Sequence, residues 1–168
     1  FYKNFNNPIE RIVEPTAQLR TSFTNAASAK NAGFELEARK LFSEFVLIGA
    51  NYTYVDSEVT LDAAASQVQT SLVRSLAGTS NNLFNLVLEG RGMGYSVRLL
   101  WNFYDDRISD VGSLGLPDIV ERARNSIDLV LSKRFNSLSF KLAIGNLADR
   151  PFVFSQGGLD QRRFLLGR

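Results

Sequence analysis

The sequence predicts an all-β fold, an antiparallel up-and-down meander of about eight strands that forms an incomplete part of a transmembrane β-barrel. Three observations support this prediction. Apolar and polar residues alternate with a period of two in several segments, tight turns alternate with long connections, and the strands are long enough to cross a bilayer. These features favour strands over helices throughout the chain.

The alternation is clearest in residues 95–103. The odd positions are apolar or aromatic, whereas the even positions are mostly polar: Tyr95, Val97, Leu99, Trp101 and Phe103 against Ser96, Arg98, Leu100 and Asn102. Segments 34–39, 46–54, 84–89, 126–132 and 138–145 repeat the pattern. A helix needs apolar residues three and four positions apart, which these segments lack, so we predict strands.

Short and long connections alternate along the chain. The short ones, at 43–45, 90–94 and 136–137, are tight hairpin turns that contain glycine, asparagine or serine, and the long ones span roughly 6–17, 59–77, 106–121 and 148–161. Outer-membrane barrels have this order, with short turns on the periplasmic side and long loops outside. The alanine-rich stretch 61–73 is interpreted as a structured loop rather than a short helix.

The strand lengths agree with a membrane-spanning role. Ten residues at about 3.3 Å per residue, tilted near 45°, rise roughly 23 Å, close to the ~25 Å apolar band of outer-membrane barrels. Segments 46–56 and 95–105 have this reach. Aromatic residues near the strand ends are typical of an interfacial girdle: Tyr52, Tyr54, Trp101, Phe103 and Tyr104.

Composition argues against several classes of function. The 168 residues include no cysteine and no histidine, which excludes disulfides, thiolate metal sites and the commonest general base, so we expect no enzyme, cofactor or metal site. A net charge of +2 gives no support for a nucleic-acid partner. Asp105, Asp106 and Asp110 are interpreted as solvated loop carboxylates rather than as a Ca²⁺ site or a glycosidase pair.

The polar positions of the alternating segments are predicted to line the barrel lumen, because a one-residue slip would move arginine into hydrocarbon at a cost of about 2–4 kcal/mol. The predicted lumen-facing residues are Glu35, Glu37, Arg39, Asn51, Arg98, Asn102, Asp128 and Lys141. They either contact a plug or a passing ligand, or only solvate and cross-pair inside a wet interior; the second interpretation is favoured for each residue.

Several segments resemble, in order, the C-terminal barrel strands of TonB-dependent receptors. They are FYKNFNNPIERIV, SFTNAASAKNAGFELEARKLF, NYTYVDSEV, RSLAGTSNNLFNLVL, LPDIVERARNSIDLVLSKRF and LAIGNLADRPF. Phe34 replaces the commoner valine, and Ser75, Thr79 and Asn81 depart from the Arg-Pro-Leu-x-Gly-Gln-Ser-Pro form of the fourth segment. The resemblance covers nearly the whole chain.

The resemblance implies a location in the bacterial cell outer membrane and TonB-dependent import of a scarce large solute such as a ferric siderophore, cobalamin, haem or glycan. It implies outer-membrane lipid, an extracellular small-molecule or glycan ligand, and TonB, reached through a missing N-terminal region, as partners. Residues 1–168 are then expected to be a C-terminal barrel segment, without the plug, the TonB box, the earlier strands and the strand that follows Gly167-Arg168 in the family. A passive porin-type barrel and a soluble β-sandwich binding module stay open as alternatives.

Overall fold

The computed structural model describes residues 1–63 and 67–165. These residues contain no helix, and hence none long and apolar enough to cross a membrane. Their strands are β1 (Tyr2–Asn6), β2 (Ile9–Val13), β3 (Thr21–Asn25), β4 (Ser28–Ser43), β5 (Val46–Thr60), β6 (Val73–Arg74), β7 (Asn82–Gly92), β8 (Tyr95–Tyr104), β9 (Arg107–Asp110), β10 (Ile119–Glu121), β11 (Arg124–Phe135), β12 (Leu138–Ile144), β13 (Phe152–Gln156) and β14 (Leu159–Phe164).

The main sheet has eight strands in the order β1-β4-β5-β7-β8-β11-β12, with β6 paired to β5, and every pair is antiparallel. The long strands β4, β5, β7, β8, β11 and β12 therefore pair in the order in which they occur in the chain. This confirms the predicted all-β antiparallel meander. Within the described residues β1 and β12 each pair on one side only, so the sheet is open and the barrel is not closed.

Three two-residue turns, at 44–45, 93–94 and 136–137, lie at the same end of the long strands of the main sheet. The turn at 93–94 uses positive φ at both positions, 49° at Met93 and 76° at Gly94, as a type I′ hairpin requires. The predicted turn over 90–94 was too long, because residues 90–92 are still paired with β8. The long connections lie at the opposite end of these strands, which we call the loop end.

The regions between the long strands, including the predicted long loops, contain short strands that the alternation did not indicate. β2 and β3 form a hairpin, while β9, β10, β13 and β14 form a second sheet in the order β14-β13-β10-β9. These strands have only three to six residues, and their sequences do not alternate regularly between apolar and polar residues. In the stretch 61–73, the described residues 61–63 and 67–73 contain no helix. Residues 64–66, like Gly167-Arg168, lie outside the described part of the chain.

The register divides the main sheet into two faces, because directly opposed residues on neighbouring antiparallel strands project to the same side. One row of partners runs Glu37, Asn51, Asn85, Asn102 and Ser126, and the next runs Ala38, Ala50, Leu86, Trp101 and Ile127. We call the sides that carry these rows the polar face and the apolar face. Large side chains on the apolar face are uncovered: Leu36 is 62% exposed and Phe140 is 61% exposed.

A small hydrophobic core lies at the loop end and consists of Ile12, Ala26, Ala29, Val59 and Leu61, with Leu76 packed against it. Ala29 and Val59 lie directly opposite each other in β4 and β5, and their side chains project from the polar face. The hairpin β2–β3 and the described residues of the 61–80 connection, 61–63 and 67–80, therefore fold over the polar face at the loop end. This loop layer positions the candidate site.

Candidate functional site

The register places every predicted lumen-facing residue on the polar face. The set comprises Glu35, Glu37, Arg39, Asn51, Arg98, Asn102, Asp128 and Lys141. Some of them contact their neighbours across strands and some do not. The Asn85 amide donates to the Asn51 side-chain oxygen at 2.7 Å, and Asp128 Oδ1 accepts the backbone N–H of Asn146 at 2.8 Å.

The strongest charge interactions on the polar face centre on Glu89 of β7. Arg98 donates to Glu89 Oε2 through Nε at 2.8 Å and Nη2 at 2.7 Å, and Arg91 Nε donates to Glu89 Oε1. The Glu89 side chain is 4% exposed, whereas those of Arg98 and Arg91 are 45% and 64% exposed. Glu89 was not among the predicted site residues, although its alternating position in β7 was a sufficient signal.

Between the loop layer and the polar face lies a buried ion pair. Arg74 in β6 is opposite Val59 and so projects from the same side as the small core. Its Nη2 donates to the Arg11 carbonyl at 2.9 Å, and its Nη1 lies 3.6 Å from Glu10 Oε2, with both side chains at most 6% exposed. Glu10 Oε1 accepts the Arg11 amide at 2.7 Å, whereas Oε2 has no hydrogen-bond partner in the described residues.

A second group of contacts joins the β2–β3 hairpin to the second sheet. Arg11 Nη1 donates to Asp110 Oδ1 at 2.9 Å and to the Ser109 carbonyl, which lies 98 residues away in the sequence. Beside it, Gly78 of the 61–80 connection donates its N–H to the Ile108 carbonyl at 2.8 Å with a φ of +79°, where glycine is favoured. The hairpin, the connection and β9 are thus tied together.

Glu121 of β10 is the centre of a third group. Its two carboxylate oxygens accept Tyr104 Oη at 2.6 Å and Arg107 Nε at 2.9 Å. Burial alone would raise the pKa of Glu121, but the hydrogen bonds from Arg107 and Tyr104 outweigh burial and hold that pKa below its usual range. The same hydrogen bond raises the pKa of Arg107, so both groups stay charged.

These contacts surround a polar cavity of about 460 Å³ at the loop end. Its walls include Arg11, Phe23, Gly78, Arg107 and Glu121. Each charged side chain on these walls already pairs with a side chain of opposite charge. The cavity therefore has balanced charges rather than an excess of one sign. None of these wall residues had been singled out by a period, because the cavity depends on contacts between segments that are distant in sequence.

The three loop aspartates serve structural contacts. Asp105 Oδ2 accepts the Asn82 amide and its Oδ1 accepts the Asp106 N–H, both at 2.9 Å, while Asp106 Oδ2 pairs with Arg122 at 2.8 Å. Asp110 binds Arg11 as described above. Among residues 1–63 and 67–165, no group of three or more acidic, histidine or cysteine side chains is arranged to hold a metal ion.

Comparison with known proteins identifies one family. The family model described as TonB dependent receptor-like, beta-barrel matches residues 1–147. A search of curated proteins and a search of solved structures gave no significant match.

Proposed function

Because the chain belongs to the TonB-dependent receptor-like β-barrel family of the outer membrane, we propose that it acts in the import of a scarce, large solute with energy supplied through TonB. TonB-dependent transport across the outer membrane is the general function of this family. Ferric siderophores, cobalamin and glycans are the substrate classes that we propose. The family is one of transporters and receptors rather than of enzymes.

The division of the main sheet into two faces is the observation that carries this proposal. Lipid solvates the uncovered apolar face without the cost that water would impose, while the polar face, with its Glu89–Arg98 pair, suits a wet interior. We therefore assign the polar face, which carries the eight predicted lumen-facing residues, to the lumen. The apolar face is assigned to lipid.

At the loop end, the same assignment places the loop layer over the mouth of the lumen. The Arg74–Glu10 pair and the Arg11–Asp110 pair then fix the polar cavity at the point where a solute enters from outside. A polar cavity with balanced charges favours a solute that presents many hydrogen-bonding groups. We propose that this cavity contributes to the first contacts with the solute.

The alternatives receive less support. A soluble β-sandwich would cover the apolar face with a second sheet, whereas Phe140 and Leu142 on that face are 61% and 55% exposed. A passive porin-type barrel has the same two faces, but the family match favours a TonB-dependent receptor over a porin.

Closure of the barrel requires further strands in our proposal. An open sheet edge is not tolerated in lipid, because its unpaired N–H and C=O groups have no water to bind. The free sides of β1 and β12 therefore need partners in the membrane. That residues 1–168 are the C-terminal part of a longer receptor stays a prediction, which the sequence of the complete gene product tests.

The uptake assay uses the complete receptor gene in its host, with a receptor deletion and a TonB deletion as paired controls. Cells are supplied with labelled ferric siderophores, cobalamin and glycans in turn. We expect uptake of one class to need both the receptor and TonB. Receptor-dependent uptake that persists without TonB would instead establish a passive barrel, and uptake of every class without the receptor would contradict the proposal.

A further inference from the structure

A groove of about 400 Å³ runs over the apolar face near the tight turns. Its apolar walls are Tyr95 and Val97 of β8, Leu131 of β11, and Phe140 and Leu142 of β12, and Lys133 stands among them. Such a volume lies within the roughly 300–1,000 Å³ range of sites that take small molecules. On the apolar face the groove combines one cation, Lys133, with apolar walls, and its lining is completed by Ser96, Ser132 and Lys141, which belong to the polar face by register.

The register orders the groove from the turn inward. The outer row of the groove, one row inward from the Phe135–Leu138 pair beside the turn, contains Tyr95, Lys133 and Phe140, and the next row contains Val97, Leu131 and Leu142. With the apolar face in lipid, the charge lies nearer the membrane boundary and the aliphatic side chains lie deeper in the bilayer. This is the order of polarity in a phospholipid, whose head group lies at the interface and whose chains lie in the hydrocarbon region.

The Lys133 ammonium is held in place without being neutralised. Its Nζ donates to the Met93 carbonyl at 2.8 Å and lies 3.4 Å from the centre of the Tyr95 ring. No carboxylate within the described residues forms an ion pair with it, in contrast to Arg98, which is paired with Glu89. An ammonium has three N–H donors, so donors of Lys133 remain for an anion.

We propose that this groove binds one anionic phospholipid, with its phosphate on Lys133 and an acyl chain along Val97, Leu131 and Leu142. The positive charge selects an anionic head group, and the apolar walls select a chain, so the two features together require one amphiphile. The Tyr95 ring and the Met93 carbonyl fix the ammonium in advance, which reduces the ordering cost of binding. This inference uses the lipid assignment of the apolar face made above.

The test uses the complete receptor in detergent and native mass spectrometry of bound lipid. Phosphatidylglycerol, phosphatidylethanolamine and inorganic phosphate are titrated separately. We expect phosphatidylglycerol to bind most tightly and Lys133→Ala to weaken it about five-fold, the effect of one lysine near an anionic head group. Lys133→Arg should retain binding. A heat-dependent shift on an electrophoresis gel verifies that each variant is folded.

Two basic residues provide matched controls. Lys40 lies on the apolar face, 5.7 Å from the Phe42 ring, and Arg39 lies on the polar face of β4; both are outside this groove. Substitution of either by alanine should leave phosphatidylglycerol binding unchanged. Equal affinities in Lys133→Ala and the unmodified receptor, or phosphate binding as tight as lipid binding, would overturn the phospholipid site alone. Loss of lipid in Arg39→Ala instead would overturn the assignment of the two faces.

Discussion

Arg74→Ala should release the loop layer while the main sheet stays folded. The substitution removes a 2.9 Å hydrogen bond to the Arg11 carbonyl and leaves Glu10, whose side chain is 6% exposed, without its cation. Breaking a buried ion pair on one side costs about 3–5 kcal/mol. We expect a value near the lower limit, about 3 kcal/mol. The Glu10 carboxylate still accepts a charge-assisted hydrogen bond from the Arg11 amide, and this bond continues to stabilise the buried charge.

Hydrogen exchange measures this loss at the Leu61 amide, which donates to the Leu72 carbonyl at 2.8 Å beside Arg74. A loss of about 3 kcal/mol in local opening free energy corresponds to exchange on the order of 100-fold faster. Lys30→Ala is the matched control, because Lys30 and Glu58 pair at 3.0 Å with side chains 52% and 46% exposed. Water screens such an exposed pair, so its loss should change exchange less than about five-fold.

A combined variant separates the charge from the packing. Glu10→Gln together with Arg74→Met replaces the pair by neutral side chains of similar size and should recover much of the lost protection, since no buried charge is left unpaired. If Arg74→Ala accelerates exchange no more than Lys30→Ala does, the buried pair does not hold the loop layer, and the reasoning fails.

Two further predictions concern the faces and the pH. In a cysteine-free background, Asn102→Cys should react with a water-soluble thiol reagent in reconstituted receptor while Trp101→Cys should not; equal labelling of both would contradict the assignment of faces. Since the pKa of Glu121 is lowered, its carboxylate stabilises the loop end above the pKa of an unfolded glutamate, near 4.5, and this contribution is lost as the pH falls through the lowered value. The protection factors of amides in β9 and β10, corrected for the intrinsic pH dependence of exchange, should therefore fall on acidification below about 4.5, and Glu121→Gln should abolish that fall.

The main sheet was predictable because its information is local. A period of two fixes both the strand and the side to which each residue projects, so the opposed positions of Arg98 and Trp101 follow from the sequence of β8 alone. The two-residue turn at 136–137 follows in the same way, since Asn136 accepts a φ of 48° more readily than most residues. Neither feature requires knowledge of a distant segment.

The loop end was not predictable in this way. β9 and β10 have four and three residues, and their pairing depends on partners across a connection that shows no alternation. Arg11 and Asp110 are 99 residues apart, so no period or spacing brings them together. The family resemblance covered the segments that contain Glu10 and Arg74, but it did not indicate that these residues contact each other.

The two parts of the chain are stabilised by different interactions, and this has a consequence for how they respond to solution conditions. The main sheet is stabilised by continuous strand pairing and, in the assignment proposed above, by lipid around its apolar face. The loop layer has a small core, in which Val59 is the largest fully buried side chain, and relies on the buried Glu10–Arg74 pair and the partly exposed Arg11–Asp110 pair. Partly exposed pairs are weakened by salt and by acid, whereas strand pairing in lipid is not. The loop layer should therefore open as a separate unit at a free energy below that of the barrel, and the import that we propose requires loops that open without loss of the barrel.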